Sequence, residues 1–193
     1  MALNDIEIEI QVSVENTKRL VEFLEKNGKF VGEKHQIDEY FTPIHRDFLS
    51  ARPAVEWLRL RDADNKYSFN YKNWHLDNLG RSHHCDEYET KIEDIKSARK
   101  ILMALNFRSL VVVDKIRKIW NYQDFEVALD GVRGLGNFIE IEYIGKDKSV
   151  DPIKICDKMV GFLKKFSCGQ IKRNYCGYPF IMMFPDEVKW EIM

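Results

Sequence analysis

Residues 6–14, IEIEIQVSV, alternate strictly between apolar and polar positions, the period of a strand with two unlike faces. Ile6, Ile8, Ile10, Val12 and Val14 take one face; Glu7, Glu9 and Gln11 take the other. Helical spacing follows in ENTKRLVEFLEKNG, where Leu20, Val21 and Leu24 share a side, Asn16 serves as N-cap and Gly28 as stop. Alternating aromatic and aliphatic residues predict further strands at 35–41, 55–61, 66–74 and 86–92. Ile95, Ala98, Leu102 and Leu105, spaced by three and four, predict a helix over 94–105. Three extended runs come next, LVVVDKIRKIWNY, FEVALD and NFIEIEYI, the last two joined by GVRGLG, whose glycines permit a tight reversal. Asp151 and Pro152 open a third helix with Ile153, Cys156, Val160 and Leu163 on its apolar side, and the tail at 170–193 has no clear period. Eight mostly sequential strands interrupted by helices predict an α+β fold, an eight-stranded antiparallel sheet closed into a barrel. No linker, repeat or low-complexity tract divides the chain, so one domain over 1–193 is expected.

Charge changes this picture only locally. The 30 Lys and Arg balance 31 Asp and Glu, a net charge of -1, so no global excess draws the chain to nucleic acid or membrane. The start MALNDIEIEI lacks a basic segment followed by an apolar run, and no stretch nears the roughly 18 apolar residues of a membrane span. A cytoplasmic protein is expected. Its cysteines, Cys85, Cys156, Cys168 and Cys176, lack C-x-x-C spacing and are expected as free thiols.

The polar faces of the predicted strands are unusually ionic, with pairs at i and i+2 that must share a face. Glu7 and Glu9 stand on the first strand with Gln11, Arg59 and Arg61 on the third, and Lys72 on the fourth beside Ser68 and Asn70. Glu87 and Glu89 follow on the fifth, Lys115 and Arg117 on the sixth, Glu140 and Glu142 on the eighth. Acid-only and base-only pairs on separate strands predict one lobe for cations and another for anions, the combination a metal-bound polyphosphate needs. Clustered carboxylates suit a hard ion, Mg²⁺ or Mn²⁺. Any single pair reads more simply as the solvated face of an ordinary sheet; repetition over six strands is what favours a shared cavity.

The E-x-E start, the R-x-R, Y-K, E-Y-E and K-x-R strands and the G-L-G-x-F-x-E-x-E close occur in the order of the CYTH superfamily, over about residues 5–180, and VVDKIRKIWNYQDFEVALDGVRGLGNFIEIEYIG is most similar to its class IV adenylyl cyclase-like branch. The resemblance implies a triphosphate tunnel with flanking helices and an enzyme acting on a triphosphate. That is either a cyclase converting ATP to cyclic AMP and pyrophosphate, or a triphosphatase hydrolysing thiamine triphosphate or inorganic triphosphate. By position, Arg59, Arg61, Lys72, Lys115 and Arg117 resemble the phosphate-binding residues and Glu7, Glu9, Glu140 and Glu142 the metal-binding acids. Glu87, Glu89 and Asp130 are further acids of the site, and Gln11, Lys72 and Lys115 hold the positions expected to act in catalysis. One departure stands out: the signature reads E-x-E-x-K, and this chain has the neutral Gln11 where the lysine belongs. Gln11 can hydrogen-bond but cannot carry charge or a proton, so a triphosphate- or polyphosphate-binding module with little turnover is the alternative. A nucleoside triphosphate, thiamine triphosphate or inorganic triphosphate is the expected partner, and a homodimer stays open.

His75, His83, His84 and Cys85 fall in or beside an expected loop after the fourth strand without metal-ligand spacing. Tyr175 reads as a core or lid residue, and Trp57, Trp74 and Trp120 as packing rather than a base-stacking platform.

Overall fold

The computed structural model describes residues 6–147 and 149–193, so Met1 to Asp5 and Lys148 lie outside the described residues. The strands are β1 (Ile6–Glu7), β2 (Glu9–Ser13), β3 (Lys29–Pro43), β4 (Glu56–Ala63), β5 (Lys66–Leu76), β6 (Ser82–Ile92), β7 (Phe107–Tyr122), β8 (Phe125–Val132), β9 (Gly136–Tyr143), β10 (Lys172–Asn174) and β11 (Glu191–Ile192). The helices are α1 (Lys18–Asn27), α2 (Ile95–Ala104), α3 (Pro152–Leu163) and α4 (Gly177–Met183). All pairings are antiparallel, in the order β1-β6-β5-β4-β3-β7-β8-β9-β2-β10-β11. The first strand is broken at Ile8 and changes partner there: Glu7 pairs with Cys85 of β6, whereas Glu9 pairs with Glu142 of β9. The ladder is therefore not continuous around the ring, but residues 6–13 span its seam and make a tunnel-like barrel.

The outer wall is apolar and carries the helices. Ile8, Ile10, Val12, Ile139 and Ile141 pack with Leu20 and Leu24 of α1 and with Ile155, Met159 and Leu163 of α3. Phe41, Leu58 and Leu60 pack with Leu102 of α2. Burying such side chains stabilises the fold by about 1.5–3 kcal/mol each, and it leaves the alternate, ionic positions facing inward. Asp151 caps α3 by accepting from Ile153 N, and Asp94 caps α2 by accepting from Lys96 N and Ser97 N. Helix α1 differs from expectation by one residue: Thr17 is its N-cap, while Asn16 accepts from Lys18 N.

Inside the barrel, Tyr40, Trp57, Val113, Val132 and Phe138 meet Tyr178, Phe180 and Ile181 of α4. This second core fills one mouth of the tunnel with the C-terminal helix. The turn between β8 and β9 uses Gly134 at φ 82° and Gly136 at φ 98°, left-handed conformations that disfavour a Cβ. One sequence expectation is corrected: His83, His84 and Cys85 belong to β6, where Cys85 pairs with Trp74, so they are strand rather than loop.

Candidate functional site

The inward face encloses a cavity of about 300 Å³. Period-two geometry places Glu7, Glu9 and Gln11 of the split first strand, Arg59 and Arg61 of β4, Lys72 of β5, Glu87 and Glu89 of β6, Lys115 and Arg117 of β7, and Glu140 and Glu142 of β9 along its wall. Asp130 of β8 does not line it. Its fully buried carboxylate shares the inward face but lies beneath lining side chains, accepting from Lys115 Nζ at 3.2 Å, Arg117 Nε at 2.7 Å and Tyr178 Oη at 2.8 Å.

Around the ring the cations occupy one arc, β5-β4-β3-β7, and most acids the other, β8-β9-β2 and β1-β6. The arcs are not electrostatically separate lobes, as the sequence pattern suggested, because ion pairs join them. Lys72 contacts Glu7, Glu9 at 3.3 Å and Glu87 at 3.7 Å. Arg117 bridges Asp130 and Glu140, the latter at 2.7 Å. Asp38, buried on β3 within the basic arc, takes a two-pronged contact from Arg61 at 2.6 and 2.7 Å and lies 3.7 Å from Arg59. Arg59, Lys72 and Arg117 thus hold their charge because carboxylates replace lost water.

These neighbours set the protonation states. Burial pushes the Asp38 carboxyl up, but Arg61 and Arg59 outweigh it and hold the group well below the usual range. Glu140 is likewise held low, burial being overcome by Arg117 and Lys115. Lys115 moves the other way, down to about 8, because burial and then Arg117 disfavour its charge. Glu9 and Glu142 lie directly opposite each other, and Glu142 also faces Glu126 of β8, so three carboxylates form a row across adjacent strands. Burial and then the charge of Glu9 push Glu142 up to about 7; Glu9 is raised well above the usual range by burial and then by Glu7.

Gln11 is buried on β2, within the acidic arc. Its amide donates to Glu140 Oε2 at 3.4 Å and accepts from Asn174 Nδ2 at 3.0 Å. Asn174 also accepts from the backbone of Cys176 and Gly177, tying the start of α4 to the site. Tyr175, half-buried beside this link, donates to Glu191.

Sequence reasoning missed Lys34, Gln36, Asp38 and Tyr40, four alternate positions of β3, and Glu126 and Tyr178. Strand β3 begins well before the expected residue 35 and carries a register shift between Phe30 and Gly32, which hides its early alternation. Extending the alternation of 36, 38 and 40 backwards would have reached Lys34.

The CYTH domain description matches residues 5–158. A Methanocaldococcus jannaschii protein with the name "Putative adenylate cyclase" is 36% identical over 178 residues, 88% of this chain and 96% of its own. A solved Pyrococcus horikoshii protein superposes with a TM-score of 0.74 at 23% identity, over 93% of this chain and 99% of that one. A Hippeastrum structure, presented as a "Putative adenylyl cyclase" that reveals a dominant triphosphatase activity, has a TM-score of 0.63 at 20% identity over 93% and 95%. At these identities the two solved structures are likenesses of fold.

Proposed function

The chain belongs to the CYTH family, and from that premise we propose that it binds a triphosphate in this cavity and cleaves it with the help of a divalent cation. The observation that carries the reading is the convergence of Arg59, Arg61, Lys72, Lys115 and Arg117, from three strands, on one cavity of about 300 Å³. A soluble domain gains nothing in stability by burying so many charges, since a buried ion pair seldom outperforms apolar packing. A polyanion gives them a purpose. Arg59, Arg61 and Arg117 offer planar forks to phosphate oxygens, and Lys72 and Lys115 offer compact charges.

Glu7, Glu9, Glu140 and Glu142 have the hard oxygen donors suited to Mg²⁺ or Mn²⁺. Among the described residues no group of three or more His, Cys, Asp or Glu is arranged to hold a metal unaided. That suits an ion of the Mg²⁺ type, which commonly takes one or two carboxylates and completes its shell with substrate phosphates and water. Crowding in the row Glu9, Glu142 and Glu126 favours a cation for the same reason that it favours a proton. When bound, the ion would supply Lewis-acid neutralisation of phosphate charge.

The residues of the chain do the rest. Arg59, Arg61 and Arg117 orient the phosphates, and their carboxylate partners keep them in place before the ligand arrives. Lys72 exchanges carboxylate contacts for phosphate, and Lys115, with its value near 8, stabilises charge that develops as the bond breaks. Gln11, fixed by Asn174 and Glu140, can orient a water or phosphate oxygen but carries no charge. Attack by water on the terminal phosphorus gives hydrolysis; attack by a ribose 3′-hydroxyl on the α-phosphorus gives a cyclic nucleotide and pyrophosphate. The name of the M. jannaschii relative supports the second, and that of the Hippeastrum structure the first.

The decisive experiment assays phosphate release from ATP, thiamine triphosphate and tripolyphosphate alongside cyclic AMP formation, with Mg²⁺ or Mn²⁺ and with EDTA. Metal-dependent product from at least one substrate is expected. The neutral Gln11 favours a second reading, a binding module, which predicts a tight complex and no product. Absence of both binding and product rejects the proposal.

A further inference from the structure

Lys34 lines the cavity on β3, half-buried, and differs from the five cations considered so far. Each of those has a carboxylate partner: Arg59 has Asp38 and Glu87, Arg61 has Asp38, Lys72 has Glu7 and Glu9, Lys115 has Asp130, and Arg117 has Asp130 and Glu140. Among the described residues Lys34 has no such ion pair. Moreover, its Cα lies directly opposite that of Arg117 on β7. Like charges side by side on neighbouring strands are unfavourable unless an anion lies between them.

Position adds to this. Lys34 and Gln11 stand on opposite walls, since β3 and β2 are separated by β7, β8 and β9 in one direction and by β4, β5, β6 and β1 in the other. Tyr178, at the end filled by α4, is buried, whereas Val31 and Glu89 of the same lining are exposed, so Lys34 is on the wall where solvent reaches the cavity. An incoming polyanion meets the other five as groups already shared with a carboxylate. It engages Lys34 without displacing one.

We infer that Lys34 is a positioning residue for the anionic ligand, the cation that meets the triphosphate first and holds it against Arg117 without giving up an ion pair. The inference rests on the triphosphate reading above. A side chain with no salt bridge among the described residues, set beside another cation, has little to lose on replacement, so Lys34→Gln should not lower the melting temperature of the ligand-free protein. Its charge is partly solvated, so its effect belongs to ligand capture rather than to the chemical step.

The test compares wild type, Lys34→Gln, Lys34→Arg and the outer-surface control Lys118→Gln, using Mg²⁺ and tripolyphosphate. Calorimetric Kd is measured at low and high salt, with KM and kcat wherever product forms. For Lys34→Gln we expect Kd and KM to rise about five- to tenfold, kcat to hold within about twofold, and the salt dependence to become shallower. Lys34→Arg restores affinity, and Lys118→Gln changes nothing. The inference is overturned if wild type binds tripolyphosphate and Lys34→Gln binds it equally well, if the loss falls on kcat alone, or if Lys118→Gln weakens binding as much. Wild type binding no triphosphate overturns the functional proposal and this inference together, so the two failures are distinguishable.

Discussion

Replacing Glu142 by Gln should stabilise the metal-free protein at alkaline pH and leave it unchanged at acid pH. Glu142 sits between Glu9 and Glu126 in the carboxylate row, and burial followed by the charge of Glu9 raises its value from 4.5 to about 7. Folding therefore favours the protonated acid. Between those two values the folded chain binds more proton than the unfolded one, so stability falls as pH rises through the window and the whole penalty applies above it. A difference of this size corresponds to about 3 kcal/mol, and water reaching the half-buried side chain reduces it to about 1–2 kcal/mol. Gln keeps the shape and removes the charge. For a chain of this length that is a gain of about 2–8 °C in melting temperature at high pH. Thermal unfolding of both proteins in EDTA, from about pH 4 to pH 8, measures it. The curves should converge below the window and separate above it, and Mg²⁺ should then raise wild type more than the variant. A gap that persists at acid pH, or no gap at alkaline pH, would refute the reasoning, because either result means that repulsion in this row does not set the stability.

Three more outcomes follow from the ion-pair network and from Gln11. Asp130→Asn leaves Lys115 and Arg117 buried without their shared carboxylate and should cost about 3–5 kcal/mol, read from the denaturant midpoint; a loss below about 1 kcal/mol would show that Glu140 compensates. Tyr178→Phe deletes one donor to the Asp130 carboxylate and should cost about 1.5–3 kcal/mol by the same measurement. Gln11→Lys should raise kcat about tenfold, about 1.4 kcal/mol, more than it tightens binding, because the other cations already hold the ground state; steady-state kinetics showing a flat or lower kcat would reject it.

The strand positions most visible in the sequence were those whose alternation runs unbroken. Glu7, Glu9 and Gln11, Arg59 and Arg61, Lys115 and Arg117, and Glu140 and Glu142 could be assigned to one face because a period of two admits no other arrangement. Asp130 was legible as an acid but not as a buried one, since its depth depends on Tyr178 arriving from the far end of the chain. Lys34 was missed because the expected strand began at residue 35, although the regular register of β3 already runs from Gly32. The C-terminal elements were opaque for a different reason. A three-residue strand such as β10 has no period to detect, and α4 has Gly177 and Pro179 in its first turn and is stabilised by the barrel mouth it fills rather than by its own propensities.

The break at Ile8 is fastened by side chains. Glu7 is carried by the ladder with β6, and Glu9, two residues on, by the ladder with β9, yet both carboxylates grip the ammonium of Lys72. Ile8 stands in the register of neither ladder, so side-chain ion pairs are what link them across the break. Girth and counter-charge thus meet at one point: the ammonium of Lys72 is the clasp that fastens together the two ladders on either side of Ile8.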